Sequence, residues 1–102
     1  MLIKNHEERR DIVVRDAKIM LLNIINQTTD ITNANWQNNG TKNSVKSSLN
    51  GFIAFVRDNK IVGWLGELDE FGYIQDFCNG KHDLDIDNLK DCLEAIRNSL
   101  FQ

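Results

Sequence analysis

Two β-rich apolar runs, broken by a pair of turn-forming residues, constrain this chain more than any other feature of its sequence. Phe52-Ile53-Ala54-Phe55-Val56-Arg57 and Lys60-Ile61-Val62-Gly63-Trp64-Leu65 flank Asp58-Asn59. Runs rich in Val, Ile and Phe, joined by two residues that tolerate positive φ, predict a hairpin with a tight primed turn. The register follows: Val56 faces Ile61, Phe55 faces Val62, Ala54 faces Gly63 and Ile53 faces Trp64. Both faces of such a hairpin are apolar. Either helices cover both, or one face meets a partner. The Ala54–Gly63 pair leaves a shallow spot where a backbone or ligand can approach closely. A third strand is expected over Tyr73–Cys78, entered by a turn at Asp69-Glu70-Phe71-Gly72 and ended by Asn79-Gly80.

Helices are expected at both ends. Val13, Ala17, Met20, Leu21 and Ile24 fall at i, i+4, i+7, i+8 and i+11, which predicts a helix over Asn5–Asn26. Ile12, Val14, Ile19, Leu22 and Ile25 widen its apolar face enough to imply cover on more than one side. Asn5 and Glu8 have the spacing of a capping box. Leu89, Leu93, Ile96 and Leu100 form a narrower stripe on a helix over Ile86–Phe101, with Asp85 as its N-cap. Between the first helix and the hairpin lies a polar connection, residues 27–50. It is long for so small a chain and implies a hidden short helix or edge strand. Val45 and Leu49 allow a helical turn or two near Thr41–Asn50. The expected fold class is therefore α+β: a long N-terminal helix, a polar connection, a three-stranded antiparallel β-meander and a C-terminal helix packed on the sheet.

A length of 102 residues leaves room for one domain and one core, spanning 1–102. No apolar run approaches the roughly 18 residues that signal a membrane span. The start, Met1 to Glu8, turns charged at once and does not read as a secretory leader. Two cysteines, Cys78 and Cys92, in a chain of this kind read as reduced thiols, so a cytoplasmic location is expected. A net charge of −3 and a pI near 5.2 argue against general nucleic-acid binding.

That small balance conceals a strong asymmetry. Residues 1–50 carry seven basic and five acidic side chains, and residues 51–102 carry five and ten. Between Glu67 and Glu94 nine acids meet only Lys81 and Lys90, a local balance of −7. Like charges gathered on a small fold repel, so the run is either a solvated face or a surface aimed at a cationic partner. Glu67, Asp69, Glu70, Asp76, Asp83, Asp85, Asp87, Asp91 and Glu94 are the candidate partner-binding residues. Trp36, a large aromatic among Asn and Gln, is either folded onto the core or an anchor beside them.

Other constellations carry residue types that chemistry could use. Asp83, Asp85, Asp87, Asp91 and Glu94 resemble positions 1, 3, 5, 9 and 12 of an EF-hand calcium loop. The run departs from that motif at Asn88, where the sharp turn needs Gly, and at Lys90, whose charge opposes the cation. An acid-rich helix N-terminus accounts for it as well. Cys78 with His82 and Asp83 suggests a nucleophile–base pair, but acidic surroundings blunt a thiolate. Cys78, His82 and Cys92 lack a recognised zinc spacing. No catalytic residue, metal or cofactor is assigned.

The phrase Phe52–Trp64, with the strand and helix expected after it, resembles the central hairpin of GNAT-type N-acetyltransferases. That likeness implies a Gly-rich loop after the next strand, with amides that hold the CoA pyrophosphate. The corresponding place here reads Asn79-Gly80-Lys81-His82-Asp83-Leu84-Asp85, with a single Gly and with acids that would repel a pyrophosphate. The leading expectation is a small non-catalytic acidic binding protein of the immunity or inhibitor type, which neutralises a basic protein such as a nuclease toxin. A degenerate acyl-CoA-binding domain is the alternative. A homodimer joined through its second sheet face is a further one.

Overall fold

The first run of the expected hairpin is the end of a long helix. The structure, a computed structural model, describes residues 6–61 and 65–101. Among them are five helices and no strand: α1 (His6–Thr28), α2 (Asn33–Trp36), α3 (Asn39–Asp58), α4 (Asp69–Cys78) and α5 (Ile86–Leu100). The α+β expectation is thus overturned, and with it the meander and the sheet on which the last helix was to pack. Val62, Gly63 and Trp64, half of the second arm, lie outside the described residues, as does Asn5, on which the expected capping box depends.

The reason is visible in α3. Val45, Leu49, Phe52, Ile53 and Val56 are buried along its length, at i, i+4, i+7, i+8 and i+11. Phe52–Val56 is not a two-faced strand but the lower part of a helical stripe that begins in the polar connection. Ala54 lies exposed on the opposite side. The turn signal marks a helix stop instead of a hairpin. Asn59 is the C-cap, and Lys60 takes the left-handed conformation at φ 63°. The Ile61 N–H donates to the Val56 carbonyl at 3.1 Å and the Lys60 N–H to the Arg57 carbonyl at 3.2 Å, the paired bonds of a Schellman motif. Ile61 and Val56 are both buried, which supplies that motif's apolar contact.

Most of the polar connection is helical too. Most of its Asn, Ser and Thr residues cap helices or sit on their wet sides, Thr28 being buried with its hydroxyl donating to the Ile25 carbonyl at 2.9 Å. Thr32 accepts from the Asn35 N–H at 3.1 Å and starts α2, while Asn38 accepts from the Gly40 N–H at 2.8 Å and starts α3. Asn43, Ser47 and Asn50 lie on the exposed side of α3. The expected third strand, Tyr73–Cys78, is also helical. Phe71, Ile74 and Phe77 are buried three apart in α4, and Asp69 and Glu70 form its first turn.

The terminal helices agree with their sequence pattern. Ala17, Leu21 and Ile24 are buried in α1, with Val13 and Met20 packed against the core. The wider face of α1 is covered only in part: Val14 and Ile25 pack against the core, while Ile12 and Ile19 remain 46% and 52% exposed. In α5, Leu89, Leu93, Ile96 and Leu100 are all buried. Asp85 caps that helix by accepting from the Asn88 N–H at 2.7 Å.

The four longer helices form a closed ring in which α1 packs on α3 and α5, and α4 packs on the same two. The centre is filled by Leu21, Leu49, Phe52, Phe71, Ile74, Leu93 and Ile96, each at most 1% exposed. Side chains of this size contribute roughly 1.5–3 kcal/mol each when fully buried, so the ring is held mainly by apolar packing. The short α2 lies against α3 and places Trp36 in the core.

Candidate partner-binding site

The antiparallel pair α4 and α5, joined by the seven residues 79–85, gathers part of the acidic run on one surface. A cleft of about 280 Å³ opens between them, lined by Glu70, Tyr73, His82, Leu84, Asn88, Asp91 and Cys92. Helical spacing explains the arrangement. With Phe71, Ile74 and Phe77 facing the core, Glu70 and Tyr73 share a flank of α4, three residues apart. On α5, Leu89 and Leu93 face inward, which leaves Asp87 and Asp91, four apart, on the outside.

The cleft is electrically negative. Cys92, 4% exposed at its floor, has its thiol pushed above the ordinary value, first by burial and then by the Glu70 and Asp91 carboxylates. No arginine or lysine lines it. Two nearby cations are already engaged within the fold. The Lys90 ammonium donates to the Thr29 carbonyl at 3.5 Å and to the Ile31 carbonyl at 3.3 Å, on the α1–α2 side. The Lys42 ammonium lies 3.7 Å from Asp83 and above the Trp36 ring. An exposed lysine, Lys81, remains in the connecting segment.

The ten nominated residues separate accordingly. Glu70 and Asp91 meet at the cleft, with Asp87 one helical turn from Asp91. Asp69 precedes Glu70 in the first turn of α4, and Glu67 stands just before that helix; both are exposed. Asp76 is exposed two turns further along α4. Asp83 is paired with Lys42, Asp85 serves as the N-cap of α5, and Glu94 accepts from Arg97 at 3.0 Å. Among the described residues Glu67, Asp69, Glu70, Asp76, Asp87 and Asp91 have no ion-pair partner.

Trp36 is not a surface anchor. It is 1% exposed, stacks on Phe77 with centroids 5.8 Å apart, and its indole N–H donates to the Leu84 carbonyl at 2.9 Å. An aromatic that does reach the surface is Tyr73, 47% exposed, with the His82 ring tilted beside it at 6.4 Å. Sequence reasoning placed Tyr73 on a strand and so missed it. The spacing of Phe71, Ile74 and Phe77 was the signal that would have turned it outward.

The other constellations do not assemble. Cys78 faces α3, where its thiol donates to the Lys46 carbonyl at 3.9 Å, while His82 lines the cleft. Burial raises the Cys78 thiol above its ordinary value, against a smaller pull from Lys46. From Ile86 onward the calcium-like run is helix, which spaces its carboxylates along the outside of a rod instead of around a cation. Among the described residues no group of three or more His, Cys, Asp or Glu side chains is placed to hold a metal ion. No described helix is long and apolar enough to cross a membrane. The hairpin on which the acetyltransferase likeness rested is not formed, since Phe52–Asp58 is helical. Comparison with protein-family models, with curated proteins and with solved structures finds no match.

Proposed function

We propose that this chain is a non-catalytic binding protein that neutralises a basic protein partner, in the manner of an immunity or inhibitor protein, through the acidic surface of α4 and α5. The observation that carries this reading is the set of carboxylates without ion-pair partners around an open cleft, with Lys90 engaged at the α1–α2 connection and Lys42 neutralising only Asp83. A surface of that kind is costly to the isolated fold, because its like charges repel. It gains its use in association, where it speeds encounter with a cationic surface and rejects acidic ones.

The test uses the full chain as bait, beside a variant carrying Glu70→Gln, Asp87→Asn and Asp91→Asn. The expected partner is a basic protein whose activity the chain suppresses. The variant should associate with it about tenfold more slowly at low salt, with the difference shrinking as salt rises. A partner bound and inhibited equally well by both chains would remove the reading.

A further inference from the structure

We infer, on the strength of that binding role, that the α4–α5 cleft receives a single arginine side chain from the partner rather than diffuse positive charge. Three features of the cleft differ in kind and agree on one occupant. Its floor is Leu84 and Cys92, both 4% exposed, which suits the apolar stem of a long basic side chain. One wall is the half-exposed face of Tyr73, backed by His82, and a planar guanidinium stacks on such a ring. Glu70 and Asp91 approach from opposite helices, and the five donors of a guanidinium can serve two carboxylates at once.

Cys92 is 4% exposed, lines the cleft and has no hydrogen-bond partner among the described residues. The cleft also has room for one long side chain, its volume of about 280 Å³ falling just below the range of pockets that hold drug-sized molecules.

The experiment is a titration of the full chain, followed by amide chemical shifts at low salt. The probes are acetyl-Gly-Arg-Gly-amide, acetyl-Gly-Lys-Gly-amide and hexalysine. Shifts from the arginine peptide should cluster at Glu70, Tyr73, Asp91 and Cys92, with a dissociation constant about threefold lower than for the lysine peptide. Tyr73→Leu should erase that preference while both peptides still bind, and circular dichroism checks that it folds. A Glu70→Gln, Asp91→Asn variant should weaken the arginine peptide about tenfold, whereas Asp58→Asn, at the exposed end of α3 and outside the cleft lining, should change nothing. Equal affinity for the two tripeptides, or shifts centred away from the cleft, would overturn the arginine pocket and leave the acidic-surface reading standing. Absence of any response on α4 and α5, hexalysine included, would overturn both.

Discussion

Lys60 and Gly80 hold the same position after neighbouring helices, and only one of them is a residue suited to it. Each follows a C-cap asparagine, Asn59 or Asn79, and each has positive φ, 63° for Lys60 and 75° for Gly80. Both ends carry the same pair of bonds: at α4 the Lys81 N–H donates to the Asp76 carbonyl at 2.9 Å and the Gly80 N–H to the Phe77 carbonyl at 3.2 Å. A Cβ in this region crowds the following carbonyl, whereas glycine has none. Lys60→Gly should therefore stabilise the fold by about 0.5–1 kcal/mol, the relief of strain exceeding the added chain entropy. Gly80→Ala should destabilise it by about 1 kcal/mol although nothing lies within 4 Å of the new Cβ, so the backbone alone is responsible. Urea unfolding of the two variants beside the parent chain measures both. Trp36 shows the reverse case, a residue whose neighbourhood decides everything. Its indole N–H satisfies a carbonyl in the segment that leads into α5, so a side chain that looked available for a partner is fixed inside.

At the scale of elements, α3 carries a glycine in its middle. Gly51 is exposed and a Cβ there meets nothing within 4 Å. Gly51→Ala should raise stability by about 0.5–1 kcal/mol through helix propensity, read as an upward shift of the thermal midpoint. The same glycine helps explain why α3 was hard to read. It stands between Val45 and Leu49 on one side and Phe52, Ile53 and Val56 on the other, and it divides a continuous helical stripe into a polar half and a β-rich half. The spacing of those five residues repeats that of Val13, Ala17, Met20, Leu21 and Ile24 in α1, where no glycine intervenes and the helix was legible. β-Branched and aromatic residues favour strands only weakly, and a helical face that buries them overrides that preference. The start of α5 was legible for a different reason: Asp85 and the leucines that follow give the cap and the period together. In the candidate site the carboxylates were visible from charge alone. Tyr73 was not, because its exposure depends on α4 being a helix.

For the molecule as a whole, burial of both thiols links stability to alkaline pH. Cys78 and Cys92 are raised above their ordinary values in the folded chain. The unfolded chain then loses thiol protons at lower pH than the folded one. Stability should be level below the ordinary thiol range and fall as pH rises through it toward the raised folded values. Urea midpoints at pH 7.5 and 9.5 test this, and a Cys78→Ala, Cys92→Ala variant should lose less between them. The closed ring has a consequence of its own for the order in which parts of the chain come together. Among the packed pairs of longer helices, α1 with α5 is the one that joins elements distant in sequence. Closing it costs chain entropy that the seven-residue link between α4 and α5 largely avoids. The acidic surface thus belongs to a local hairpin of helices, which can acquire its shape ahead of the final closure.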